Sequence, residues 1–204
     1  MKKHLLNVIL LISTLASFSQ SAKDIEDFLT NKTSKFSTDG TGNSLGLKFS
    51  IKYPSSYSLS EARHPHVVAH ISSGVSCACA ILVNKSPETI LSNEKIAACS
   101  NAVLKESIPA GAIYLSSQSG IKVEGETAGY VEYYMTRNID KGDVVTPYHY
   151  YMREYIIYYK DYRIDVGFSI YSENKQTCLN LFNSYKQFFS LEMSSFILLS
   201  KWNG

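Results

Sequence analysis

The stretch YHYYMREYIIYYKDYRIDVGFSIY, residues 148–171, decides the architecture. Aromatic and β-branched residues run through it almost without interruption, broken once at Lys160-Asp161. Such residues favour the pleated surface of a sheet, and a polar two-residue break between two runs marks a tight hairpin. The reading is therefore two long antiparallel strands, Tyr148 to Tyr159 and Tyr162 to Tyr171. Working outward, Ala128 to Arg137 alternates, with Tyr130, Glu132 and Tyr134 on one side and Val131, Tyr133 and Met135 on the other. Asn138 to Asp143, with Gly142, reads as the turn joining it to the next strand. After the hairpin, Cys178, Leu181, Phe182, Tyr185, Phe188 and Phe189 recur at spacings of three and four, which predicts a helix over 173–191. Phe196 to Leu199 is expected to close the chain as an edge strand.

The first half repeats the pattern on a smaller scale. Leu45 to Tyr53 alternates and is stopped by Pro54; Val67 to Ile71 and Cys77 to Asn84 form a second hairpin around Gly74. Ser86 and Pro87 carry the signals of a helix start, and Ile90, Leu91, Ala97, Ala98, Val103 and Leu104 extend one helical stripe to Pro109. Ala112 to Ser117 and Ile121 to Glu124 read as short strands separated by Gly120. Hairpins with helices held apart give an α+β fold, an antiparallel β-sheet flanked by helices in a single domain.

At the amino terminus, Met1-Lys2-Lys3-His4 precedes an apolar run from Leu5 to Ala16, followed by small residues at Ser17 and Ser19. This is the layout of a secretory signal. Its apolar run rises about 18 Å as a helix, short of the roughly 30 Å hydrocarbon core, so cleavage after Ser19 with no transmembrane anchor is expected. The chain thus divides into a leader over 1–19, a flexible polar segment over 20–44, with a short helix from Ala22 to Leu29 as an option, and a folded domain over 45–200. The expected location is periplasmic or secreted. The full chain has 20 Lys+Arg against 18 Asp+Glu; removing Lys2 and Lys3 leaves a balanced protein, which lacks the electrostatic footprint of a nucleic-acid binder.

Four cysteines in an exported chain invite disulfides. Cys77, Cys79, Cys99 and Cys178 are the candidates; Cys77 and Cys79 share a strand face, and a pairing of either with Cys99 is the first expectation. A Cys77-Ala78-Cys79 metal site lacks a second pair of ligands at zinc spacing. His64, His66 and His70 are the one histidine cluster; Pro65 places it in a loop and the nearest carboxylate is Glu61, so no metal or other cofactor is expected. No Gly-x-Ser-x-Gly, no phosphate-binding glycine loop and no singled-out carboxylate pair among Glu124, Glu126, Glu132 and Asp165 is present, so no catalytic residue is assigned. Cys77 or Cys79 with His149 is the one thiol–imidazole combination to consider.

Several segments are similar to the PsbP-like fold family: Gly46-Leu47-Lys48-Phe49-Ser50-Ile51-Lys52-Tyr53-Pro54, His64-Pro65-His66-Val67-Val68, and the Tyr162–Tyr171 strand with its final helix and Ser195-Phe196-Ile197. The resemblance covers residues 45–199. It implies an α/β/α sandwich and a small binding or accessory module of the kind several exported members form; the four cysteines are not part of its pattern, and it transfers no site residue. The 15 tyrosines crowd the last hairpin. Most fit a half-buried sheet, and Tyr150, Tyr155 and Tyr159 are the candidates for contact with a protein partner, since tyrosine is enriched at binding hot spots. The functional expectation is an exported, non-catalytic binding or accessory module acting through protein contact, with an immunity or inhibitor protein as one form of it. The alternative is an unrecognised periplasmic hydrolase or thiol-redox enzyme.

Overall fold

The computed structural model describes residues 19–60, 64, 66–74, 76–86, 91–140, 142 and 144–201. The leader lies outside them up to residue 18. The elements in order are a helix over 19–29 (α1), β1 (Thr33–Ser37), β2 (Ser50–Pro54), β3 (Ser58–Ser60), β4 (Val67–Ser72), β5 (Cys77–Lys85), α2 (Ser92–Ala98), α3 (Asn101–Glu106), β6 (Ile113–Val123), β7 (Glu126–Asp140), β8 (Val145–Tyr159), β9 (Tyr162–Ser172) and α4 (Lys175–Ser194). Seven strands form one sheet in the order β3-β4-β5-β9-β8-β7-β6, and β1 and β2 pair separately. Every neighbouring pair is antiparallel. The expected α+β fold is the observed one.

The hairpin read from residues 148–171 is the centre of the sheet. Tyr159 pairs with Tyr162 across the Lys160-Asp161 turn, where Lys160 accepts a positive φ of 50°. Alternation then sorts β8 and β9. Tyr151, Tyr155, Ile157 and Tyr159 join Ile164, Val166, Phe168 and Ile170 on the first face, in the main core. α4 lies on that face, with Phe189 stacked on Phe168 at 5.0 Å and Phe182 against Tyr151 at 5.6 Å. It is capped by Asn174, whose Oδ1 accepts from Thr177 N–H at 2.9 Å. Fully burying each such aromatic ring contributes about 1.5–3 kcal/mol. The β1–β2 hairpin also covers the first face, through Phe36, Phe49 and Ile51.

Within residues 20–44, expected to be a flexible polar segment with a short helix from Ala22 to Leu29 as an option, that helix is present as α1 and is held by polar burial. Asp24 and Asp27 on α1 are buried. Asp24 Oδ2 accepts from Tyr57 Oη at 2.8 Å and Tyr185 Oη at 2.7 Å, and its Oδ1 accepts from Gln20 Nε2 at 2.8 Å. Phe28 meets Phe188 edge-on at 6.2 Å. α1 thus packs on the same core as the strands that follow residue 45.

On the second face, α2 and α3 replace the single expected helix; its start at Pro87 and Ile90 lies outside the described residues. The helix breaks at Cys99-Ser100 because Ser100 turns its hydroxyl to cap α3, accepting from Val103 N–H at 3.4 Å. Cys99 and Leu104 sit over Val131, Tyr133, Ile156 and Tyr158 in a second, smaller core. The approach is close at Gly129, where an added Cβ would lie 2.8 Å from Leu104 Cδ1 and 3.1 Å from Gln118 O. With helices on both faces, the layering is α/β/α.

Two other expectations change. The short strands expected over 112–117 and 121–124 are one edge strand, β6, with register shifts at Tyr114/Ser116 and Gln118/Ile121. Ile197 makes only an isolated bridge to Ser50, not a strand.

Candidate interaction surface

The core beneath α2 and α3 is centred on Gly129, Val131, Tyr133, Ile156 and Tyr158, with Met135 and Met152 packed at its margin. Towards the other end of β8 and β9, side chains of the same parity come to the surface: Tyr148, Tyr150 and Met152 from β8, Ser169 and Tyr171 from β9, and Met135 and Arg137 from β7. Tyr150 lies 5.9 Å from Tyr171, ring to ring, and Tyr148 Oη donates to Glu173 Oε1 at 2.7 Å. The three tyrosines are half-buried, with ring surface left in water. Burial raises the hydroxyl pKa values of Tyr150 and Tyr171, so both remain neutral donors. The result is an amphipathic aromatic patch with thioethers on one flank and a guanidinium at its rim.

At the inner margin of this patch lie two carboxyls. Tyr133 Oη donates to Glu154 Oε2 at 3.2 Å, Arg163 Nε to Asp165 Oδ1 at 2.8 Å, and Asn84 Nδ2 to Asp165 Oδ2 at 3.4 Å. Burial, reinforced by the charge of Asp165, raises Glu154 above the ordinary carboxylate range. Burial also raises Asp165, against the opposing pull of Arg163.

The expected site residues divide. Tyr150 belongs to the patch, whereas Tyr155 and Tyr159 are only 5% exposed and point into the main core. They cannot form one surface with Tyr150, because residues an odd number apart face opposite sides of a strand. Tyr148 and Tyr171 take their place. Glu132 is also internal: Arg153 Nε donates to its Oε1 at 2.9 Å, and Lys186 Nζ and Ser116 Oγ to its Oε2 at 2.9 Å and 2.8 Å. Burial alone would raise Glu132, but these donors outweigh it and hold the carboxyl below its ordinary value.

The disulfide expectation is overturned. All four cysteines are free and buried. Cys77 and Cys79 face the main core and Cys99 the second core, so the sheet itself separates the expected partners. Cys178 donates to the backbone carbonyls of His149 and Ile170 at 3.1 Å and 3.3 Å. Desolvation raises all four thiols, Cys99 to about 11 and Cys178 to about 12. No thiol meets an imidazole among the described residues: His149 Nδ1 is 2.7 Å from Tyr134 Oη instead. His70 pairs through Nδ1 with Ser60 Oγ at 2.9 Å. No described group of three or more His, Cys, Asp or Glu side chains is arranged to hold a metal, and no described helix is long and apolar enough to cross a membrane.

No family model matches the chain. No curated protein matches it either. Fourteen chains of solved structures do. One is a crystal structure from Bacteroides thetaiotaomicron VPI-5482, 12% identical with a TM-score of 0.45, the match covering 82% of this chain and 48% of that one. The present chain therefore spans about half the length of that structure.

Proposed function

We propose that this is an exported, non-catalytic binding or accessory module of the cell envelope, of the PsbP-like type, acting in the periplasm or outside the cell through protein contact. The observation that carries the reading is the patch of Tyr148, Tyr150, Tyr171 and Arg137 on the second face, bordered by Met135 and Met152 where it meets the second core. Aromatic residues, Met and Arg are the types enriched at protein interfaces, and they sit on a rigid sheet, so little conformational entropy is lost on binding. The α/β/α layering and the signal-like leader are in keeping with this. An immunity or inhibitor protein is one form of this reading.

Thiol-redox chemistry has little support, because it needs an accessible thiolate and the four thiols are buried and raised. The test is capture of partners from envelope extract by the exported protein and by its Tyr150→Ala/Tyr171→Ala variant. A stoichiometric protein held by the first and lost at least tenfold by the second is the expected result. A partner retained equally by both removes the patch from the reading, and absence of any partner after crosslinking removes the reading itself.

A further inference from the structure

A second surface has a different chemistry. Among the described strands, β1 is paired only with β2 and β3 ends the order of the large sheet, so each has one edge without a described partner. A groove of about 670 Å³ lies between them, walled by Phe36, Ser37 and Thr38 on one side and Leu59, Ser60 and Val68 on the other.

The direction of the β1 main chain follows from its hydrogen bonds. Thr38 N–H donates to Phe49 O, and Ser55 N–H to Lys32 O, both at 3.0 Å. With the β1–β2 register, this makes the even-numbered residues the ones that exchange bonds with β2. Alternate residues of an antiparallel strand turn their N–H and C=O groups to the opposite side. Those of Thr33, Lys35 and Ser37 therefore point away from β2, and no other described strand pairs with them. Such an edge is a template for another strand. The five residues of β1 span roughly 17 Å, enough for about five residues of an added segment.

Charge narrows the occupant further. Among the described residues of the groove wall, Asp39 is the one charged side chain. Thr41 N–H and Thr41 Oγ1 donate to its Oδ1 at 2.8 Å and 2.7 Å, and these bonds, with a smaller contribution from the charge of Lys48, hold the carboxyl below its ordinary value. The groove thus presents main-chain donors and acceptors, apolar contacts at Phe36, Leu59 and Val68, and one fixed negative charge.

We infer that the groove between β1 and β3 takes an extended peptide segment of another protein, added as a strand along the β1 edge, with a basic side chain set against Asp39. The inference rests on the reading of the chain as a protein-binding module and gives the chemistry of a partner segment. Strand addition draws affinity from main-chain bonds and specificity from alternate side chains. The preferred segment accordingly alternates apolar residues with polar ones and carries Lys or Arg.

The test uses the full chain and pools of acetylated, amidated heptapeptides of alternating Val and Thr, with Lys, Ala or Glu placed in turn at each position. Binding is read by fluorescence polarisation, and amide exchange at Lys35 and Ser37 is followed by NMR. Lys pools are expected to bind more tightly than Ala pools by up to about fivefold, as an exposed ion pair allows, with Glu pools weakest. Asp39→Asn should erase that preference while leaving the Ala pools unchanged. Peptides N-methylated at alternate residues should fail to bind, and because they require no protein variant they keep the result independent of folding. Bound peptide should slow exchange at Lys35 and Ser37. The inference is overturned if no pool binds, if N-methylation has no effect, or if those amides exchange as before. A partner captured through Tyr150 and Tyr171 while every pool fails sinks the groove and leaves the binding-module reading standing.

Discussion

Replacing Asp24 with alanine tests whether the first helix is part of the folded unit. Its carboxylate is fully buried and accepts hydrogen bonds from the hydroxyls of Tyr57 and Tyr185, themselves buried. A hydrogen bond to a charged group contributes about 1.5–3 kcal/mol. Two bonds sharing one acceptor are not additive, and removing the carboxylate also relieves the cost of burying it. The net loss expected for Asp24→Ala is about 3 kcal/mol, a sizeable part of the roughly 5–15 kcal/mol that holds a domain together. Asp24→Asn keeps an acceptor oxygen and should lose about half as much. Tyr57→Phe and Tyr185→Phe should each lose about 1–2 kcal/mol, and either tyrosine change made in the Asp24→Ala background should cost much less than it does alone. Urea unfolding gives the global values, and hydrogen exchange over residues 19–29 shows whether the helix lifts first. An Asp24→Ala protein within 0.5 kcal/mol of wild type, with unchanged exchange over 19–29, would refute the argument that polar burial ties α1 to the core.

Glu192 is buried on the same face, with its Oε1 lacking a partner among the described residues, and burial, followed by the charge of Asp24, raises it well above the ordinary value. A carboxyl raised in the folded state contributes least against unfolding once the pH climbs past its unfolded value of about 4.3; the melting temperature of Glu192→Gln should therefore gain on wild type as pH rises from 4 to 8, and a constant difference would contradict this. Glu132 behaves in the opposite sense: its depressed value gives stability that is present above about 4.3 and lost as pH falls through the folded value, so Glu132→Gln should flatten the acid limb of the stability profile. Glu132→Ala, which leaves Arg153 buried without its carboxylate, should cost about 3–5 kcal/mol in urea unfolding. Gly129→Ala should cost about 1–3 kcal/mol through overpacking against Leu104; a neutral result would show that α3 yields freely.

The centre of the fold was legible because residues 148–171 and 178–189 are apolar at the periods their structures require. The edges were harder to read for identifiable reasons. α1 matches the helix offered over Ala22–Leu29 and packs Ile25 and Phe28 on the core, but its docking also buries Asp24, Asp27 and Ser21, which apolar periodicity does not announce. β1 is Thr-Ser-Lys-Phe-Ser, with one apolar residue to announce it. β6 looked like two strands because its bulges interrupt the alternation. The Glu124-Gly125 hairpin turn, with φ of 52° and 81°, is a primed turn, but Glu at its first position lacks the Asn, Asp or Gly that announces such a turn in a sequence. The interaction surface was half visible. Tyr150 was found by composition, but period-two alternation already placed it opposite Tyr155 and Tyr159, and pairing across β8 and β9 was needed to bring Tyr171 beside it. Glu154 carries no signal of its own, because only the β8–β9 register sets it diagonally to Asp165.

The four buried thiols also act as a built-in clock for opening. Each is chemically silent while its side of the sheet stays dry and becomes a nucleophile once that side is wetted. Cys99 reports the lifting of α2 and α3, while Cys77, Cys79 and Cys178 report the parting of α4 from the strands. Alkylation with a small thiol reagent, followed site by site, would thus time the loosening of the two layers separately, without any label being introduced. Simultaneous modification would mean that the sheet sheds both coverings in one event; a faster Cys99 would mean that the smaller core is the first to melt.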